Sequence, residues 1–110
     1  MSWDVYLRGK CCAVCEQHTG GRNLGDYTWN TGPMFFKASG GTNLSNLNGL
    51  EARDAARVLD AALVEMTAHA DEYRAMNPAN GWGDFDTFRE WLQKILEACR
   101  EMPDAVLCVR

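Results

Sequence analysis

Two long stretches in the second half of the chain have the pattern of amphipathic helices. Apolar residues recur there at i, i+3, i+4 and i+7, the spacing of one helical face. The first stretch runs from Leu50 to Ala70, and the second follows Asp84 and ends near Arg100. The predicted buried positions are Ala55, Leu59, Ala62, Leu63 and Met66 in the first helix and Phe85, Phe88, Trp91, Leu92, Ile95, Leu96 and Cys99 in the second.

Strand patterns stand at the two ends of the chain. Residues 3–7 alternate large apolar with polar residues, which predicts a strand with Trp3, Val5 and Leu7 on one face. The short apolar run 105–109 predicts a final strand. Between them, residues 24–30 are interpreted as irregular or as a short strand, and residues 11–18 as a second strand or a tight knuckle.

The helix boundaries carry capping signals. Asn48 and Glu51 have the spacing of a capping box, with Asn48 in place of the usual Ser or Thr. Pro78 ends the first long helix, and Asp84 is a suitable N-cap for the second. A short helix over residues 34–38 is expected to begin near Pro33, because a proline in the first turn loses no hydrogen bond. Asn30 or Thr31 is a candidate cap for that short helix.

The order of these elements predicts an α+β fold. We expect a small two-layer sandwich in which the terminal strands pair in a short antiparallel or mixed sheet, covered by two long helices and one short helix. The 110 residues fit one domain, 1–110.

Composition narrows the classes of partner. The net charge is −4 and no basic cluster occurs, so a nucleic-acid partner is not expected. No run approaches the roughly 18 apolar residues of a membrane span, so no membrane partner is expected. The start of the chain, Met1-Ser2-Trp3-Asp4, lacks the pattern of a signal peptide. We therefore expect a cytoplasmic protein.

Five cysteines raise the question of a metal site. Cys12-x-x-Cys15 has the spacing of half a zinc knuckle, with Cys11 and His18 nearby. A structural zinc needs four ligands, usually from two such halves, and the second half is missing. Free thiols in a hairpin are therefore favoured over zinc at these four residues, and no other cofactor is expected. Cys99 and Cys108 stand in apolar contexts that suit the core.

Two loops combine amides with aromatic rings, residues 27–34 and 77–84. Their amides are Asn30, Asn77 and Asn80, and their rings are Tyr27, Trp29 and Trp82. Neutral polar groups on an apolar wall are typical of a small-molecule pocket. The structural alternative is that Asn and Gly form turns, Pro78 and Asp84 bound the helices, and Trp82 fills the core. On the residue types alone, the structural interpretation is favoured over a ligand pocket.

Both loops also resemble a protein family. The runs Tyr27-Thr28-Trp29-Asn30-Thr31-Gly32-Pro33-Met34 and Asn77-Pro78-Ala79-Asn80-Gly81-Trp82-Gly83-Asp84 are similar to those of small actinobacterial and phage proteins without an assigned activity. Asp26 and Gly32 depart from that family's pattern, which has Asn and Ser at these positions. The resemblance implies a shared ligand-binding site of Asn30, Pro33, Met34, Asn77, Asn80, Trp82 and Asp84.

Three functional hypotheses follow. The leading one is a small binding protein, a phage or bacterial accessory protein, whose two loops form a pocket for a nucleoside or nucleotide-like ligand. The second is a protein–protein interaction or inhibitor module that presents Phe35, Phe36 and Trp91 and forms a homodimer or binds a partner. The third is a small hydrolase that uses Asp84 or His69. No catalytic set with a recognisable spacing occurs, so a protein without enzymatic activity is favoured.

Overall fold

The computed structural model describes residues 2–8, 22–79, 81 and 83–110, with the backbone alone at Arg22 and Trp29. Its strands are β1 (Ser2–Arg8), β2 (Arg22–Thr28) and β3 (Val106–Val109). Its helices are α1 (Gly32–Ala38), α2 (Ala52–Ala68), α3 (Ala70–Arg74) and α4 (Phe85–Glu101). Single 3-10 turns occupy Trp29–Thr31 and Leu44–Leu47. The strand or knuckle predicted over residues 11–18 lies outside the described residues.

The three strands form an antiparallel sheet in the order β2-β1-β3, so the predicted α+β architecture is confirmed. The terminal strands pair as expected, with Val5 opposite Val109 and Leu7 opposite Leu107. Strand β1 lies in the middle because β2 pairs with its other edge. Of residues 24–30, whose pattern left two interpretations open, 24–28 belong to the strand β2, and Trp29 and Asn30 belong to a 3-10 turn.

Alternation along β1 places its apolar side chains against the helices. Trp3, Val5 and Leu7 are buried, while Ser2, Asp4 and Arg8 on the opposite face are exposed. All the apolar positions predicted for the two long helices are buried as well. The core therefore lies between one face of the sheet and the helix layer.

Four aromatic rings join the sheet to α4. Trp3 of β1 and Tyr27 of β2 both pack against Phe88 and Trp91, with ring centroids 5.3–6.2 Å apart. The Trp91 indole also donates a hydrogen bond of 2.9 Å to the carbonyl of Leu24. That carbonyl lies at an irregularity in the β1–β2 register, where an extra residue is accommodated by the positive φ of the neighbouring glycine.

The capping box predicted for Asn48 and Glu51 is wrong. Helix α2 begins after Glu51 without a side-chain cap, and the Asn48 amide oxygen instead accepts a 2.9 Å hydrogen bond from the Val109 backbone N–H. Segment 48–51 runs beside β3, where Gly49 donates to Leu107 and Glu51 forms a β-bridge with Val106. Asn48 therefore caps the outer edge of the sheet, which would otherwise present unpaired backbone groups.

The interaction-module hypothesis predicted an exposed apolar patch of Phe35, Phe36 and Trp91. This prediction is wrong for two of the three residues. Phe35 and Trp91 are buried, and Phe36 alone of the three is exposed, at 48%.

The first long helix is shorter than its pattern predicts, because the chain leaves helical geometry at His69 and continues as α3. Within the described part of the chain, every helix is too short or too polar to cross a bilayer.

Replacing Asn48 by alanine tests its role at the sheet edge. We expect Asn48→Ala to lower the free energy of unfolding by about 1 kcal/mol, because the Val109 N–H loses its acceptor. Asn46→Ala is the matched control, since Asn46 is exposed in the same segment. Urea denaturation measures both, and equal effects of the two substitutions would contradict the assignment.

The buried Cys99 supplies a second prediction. Burial raises the pKa of its thiol to about 11, so very little thiolate forms in the native protein near neutral pH. We expect iodoacetamide at about pH 8 to leave Cys99 unmodified in the folded protein and to alkylate it in urea. Peptide mapping by mass spectrometry measures this, and rapid alkylation of Cys99 without denaturant would show that the site is open.

Candidate functional site

The two amide-rich loops meet at Gly83. An ideal Cβ added to Gly83 would lie 2.6 Å from Cγ2 of Thr28 and 3.1 Å from Cγ2 of Thr31. Gly83 also has φ of +89°, which side chains rarely tolerate. A glycine is therefore required here both by the backbone conformation and by the close approach of the first loop.

The hydroxyl of Tyr27 connects the first loop to the start of α4. It accepts a 3.0 Å hydrogen bond from the Asp84 N–H and lies within hydrogen-bond distance of the Asp84 carbonyl and of the Thr87 hydroxyl. Asp84 is the N-cap of α4, as predicted, and its carboxylate accepts a 2.9 Å hydrogen bond from the Thr87 N–H. Tyr27 and Asp84 thus already have partners within the protein.

Asn77 has a structural role of the same kind. Its side-chain oxygen accepts a 2.8 Å hydrogen bond from the Phe85 N–H, one of the amides that a helix leaves unpaired in its first turn. Asn77 and Asp84 together satisfy two first-turn N–H groups of α4. The second loop therefore holds α4 at its N-terminus and braces the first loop.

The remaining predicted site residues are placed differently. Asn30 is exposed, and its backbone N–H donates to the Thr28 hydroxyl. Pro33 is exposed in the first turn of α1, whereas Met34 is buried in the core. Asn80 and Trp82 lie outside the described residues, so their predicted role stays a prediction.

An open groove lies beside the first loop. It has a volume of about 540 Å³ and is lined by Trp3, Gly32, Pro33, Phe36, Asn43 and Ser45, a set that we call the α1 groove. Its walls are predominantly apolar. An ideal Cβ on Gly32 would lie 3.6 Å from the edge of the Trp3 ring, so Gly32 and the largely buried Trp3 are neighbours in this wall.

Two polar side chains lie on this apolar groove. Asn43 occupies the N-cap position of the turn Leu44–Leu47, yet its side chain makes no capping hydrogen bond. Asn43 and Ser45 are both exposed, and within the described part of the chain neither side chain has an intramolecular hydrogen-bond partner. Their donors and acceptors are therefore available to a ligand.

Sequence reasoning found only part of this groove. Pro33 was in the predicted set, and Phe36 was assigned to a different hypothesis. Trp3 was predicted as a core residue, while Asn43 and Ser45 stand in a polar segment with ordinary loop composition. Only the turn at residues 44–47 brings them beside α1, and the sequence carries no signal of that contact.

A polar cleft at the junction of α2 and α3 is the other candidate for chemistry. It has a volume of about 400 Å³ and contains His69, whose ring nitrogens lie 3.5 Å from a Glu65 oxygen and 3.8 Å from a Glu72 oxygen. Glu65 also accepts a 2.7 Å hydrogen bond from Tyr73, and burial together with that carboxylate raises the pKa of the Tyr73 hydroxyl. These contacts form a cluster of polar side chains at the helix junction.

Within the described ranges, no group of three or more His, Cys, Asp or Glu side chains is arranged to hold a metal ion. In the His69 cluster, the two carboxylates flank opposite ring nitrogens, so they do not converge on one ligand position. Cys11, Cys12, Cys15 and His18, the residues considered for zinc, lie outside the described part of the chain.

Comparison with known proteins adds no relative: no family model, curated protein or solved structure matches the chain. The resemblance of the two loops to a family of small proteins therefore stays a prediction.

The contact between the loops can be tested with a pair of glycine substitutions. Gly81 and Gly83 both have positive φ, but a Cβ on Gly81 would meet nothing within 4 Å. We expect Gly81→Ala to cost about 1 kcal/mol of stability from backbone strain alone. Gly83→Ala should cost about 2 kcal/mol more, because its methyl group overlaps Thr28. Thermal or urea unfolding measures the difference, and equal costs would mean that the loops do not touch.

Proposed function

We propose that the protein binds a small ring-bearing ligand of the nucleoside or nucleotide type in the α1 groove. The observation that carries this proposal is an apolar groove of about 540 Å³ with two polar side chains that have no hydrogen-bond partner among the described residues. Ligand pockets typically have volumes of roughly 300–1,000 Å³, with mainly apolar walls and a few polar groups that fix orientation. The α1 groove meets each of these criteria.

The residues of the groove suggest how such a ligand would be held. The exposed ring of Phe36 and the ring of Pro33 offer flat apolar surfaces for stacking. Asn43 offers one acceptor and two donors, a combination that pairs with the polar edge of a base. Ser45 adds a hydroxyl in the same segment.

In this proposal the second loop supports the first loop, which leads into the wall of the groove. Asn77, Gly83 and Asp84 fix the start of α4 and press against the first loop, which leads directly into the Gly32 and Pro33 wall of the groove. This arrangement differs from a pocket lined by both loops. Asn80 and Trp82 lie outside the described residues, so a ligand contact by either stays a prediction.

The interaction-module alternative has less support. Of its three aromatic residues, only Phe36 remains exposed, and the other large apolar side chain exposed in the described part is Val64 of α2. Interaction surfaces are usually contiguous apolar patches of several hundred Å². One exposed ring at the rim of a groove fits a ligand site better.

Titrating the ¹⁵N-labelled protein with the four common ribonucleosides and their 5′-monophosphates tests the proposal. We expect at least one compound to shift the amide resonances of Gly32, Phe36 and Ser45. Phe36→Ala should lower the affinity for that compound about tenfold, because base–aromatic stacking contributes roughly 1–3 kcal/mol to binding.

Val64→Ala is the matched control, since Val64 is an exposed apolar residue on α2 outside the groove. Gly32→Ala provides a second variant: its methyl group fits against Trp3 without overlap and partly covers the groove. The proposal fails if no compound shifts these resonances, or if Phe36→Ala and Val64→Ala have equal effects on binding.

A further inference from the structure

We infer that the α1 groove selects a neutral, phosphate-free ligand, a nucleoside or free base rather than a nucleotide. This inference rests on the proposed function and narrows the chemical class of its ligand. It is carried by the absence of Arg and Lys from the described lining of the groove and by the contacts of Lys37, the cation of α1.

The lining contains no positive charge among its described residues. The described lining residues are one each of Trp, Gly, Pro, Phe, Asn and Ser. Phosphate recognition ordinarily depends on Arg or Lys, or on several backbone N–H groups that converge on the anion. With a net charge of −4, the protein as a whole also gives no attraction to an anion.

Lys37 is the one cationic residue of α1, and its side chain contacts residues outside the described lining of the groove. Its ammonium lies 3.7 Å from a Glu72 carboxylate oxygen and 5.1 Å from the centre of the Tyr73 ring. Both partners belong to α3, and neither lines the groove. The charge next to Phe36 in sequence therefore lies at the α1–α3 contact and does not add to the described lining of the groove.

The start of α1 does not replace a cation. The helix has seven residues, and one of its first-turn positions is Pro33, which has no N–H to offer. The hydroxyl of Thr31, at the N-cap, donates to the Thr28 carbonyl at 3.1 Å. A phosphate placed in the groove would therefore lose water without gaining a charged partner, which is unfavourable.

The same lining suits a neutral heterocycle. Its apolar surface gains from burial of an uncharged ring, and the Asn43 amide offers donors and acceptors that need no ionised partner. Discrimination against the phosphate then arises from desolvation of the ligand, and no repulsive residue in the groove is required.

Calorimetric titration of the native protein with adenosine, guanosine, cytidine and uridine, each beside its 5′-monophosphate, tests the inference. We expect the best-bound nucleoside to bind at least tenfold more tightly than its monophosphate. Nucleoside affinity should also stay constant between about 50 and 200 mM salt, since no ion pair is formed. A monophosphate that binds more tightly, with an affinity that falls with salt, overturns the inference and leaves the proposed function standing.

A charge-insertion variant separates the groove from a site elsewhere. Ser45→Lys adds an ammonium at an exposed lining position, and we expect it to strengthen binding of the monophosphate up to about fivefold. Nucleoside affinity should not rise, because an uncharged ligand gains nothing from the ammonium and loses the Ser45 hydroxyl. Val64→Lys is the control and should change neither.

Unchanged monophosphate binding by Ser45→Lys, in a protein that binds the nucleoside, would show that the ligand lies elsewhere and would overturn the inference. Absence of binding for every nucleoside and monophosphate would overturn the proposed function, and the inference with it.

Discussion

The structure depends on the packing of Trp3 and Tyr27 from the sheet against Phe88 and Trp91 of α4. Aromatic pairs of this kind add about 0.5–1.5 kcal/mol each beyond the apolar area that they bury. The cluster fixes the distance between the two layers at one end of the sheet. Since the edge of the Trp3 ring also lies beside Gly32, the same ring belongs to the core and to the α1 groove. One wall of the groove is therefore formed in part by a residue of the packed core.

The polar residues of the two loops divide according to whether a backbone group has already engaged them. Asn77 and Asp84 accept hydrogen bonds from the first turn of α4, and Tyr27 bonds to the same helix start. Their chemistry is used in holding the loops together. Asn43 stands in a less conspicuous segment, but its amide has no hydrogen-bond partner in the described part of the chain, so it is better suited to recognise a ligand. The pairing of a polar group, more than its type, decides where recognition can occur.

Local patterns predicted the architecture well, because burial follows hydrophobic periodicity. The alternation at Trp3, Val5 and Leu7 and the stripe of α4 placed these residues in the core correctly. The cap at Asp84 was also predicted, since its partner Thr87 is only three residues away. The cap predicted at Asn48 was wrong, because its side-chain oxygen accepts a hydrogen bond from Val109, which is 61 residues distant. A side-chain acceptor near a helix start can bond to an N–H of that helix or to a backbone N–H elsewhere in the chain. The tertiary structure decides between the two.

The sequence by itself determined the class of fold, the two long helices and the faces that they bury, because these follow from the spacing of apolar residues within one element. Tertiary structure decided the candidate site. Trp3, Phe36 and Asn43 come from three separate segments, and no local pattern records that they meet. Likewise, Phe35 and Phe36 are adjacent and chemically identical, yet one is buried and the other is exposed at the groove. The difference arises from the orientation of α1 against its neighbours, which depends on packing between elements.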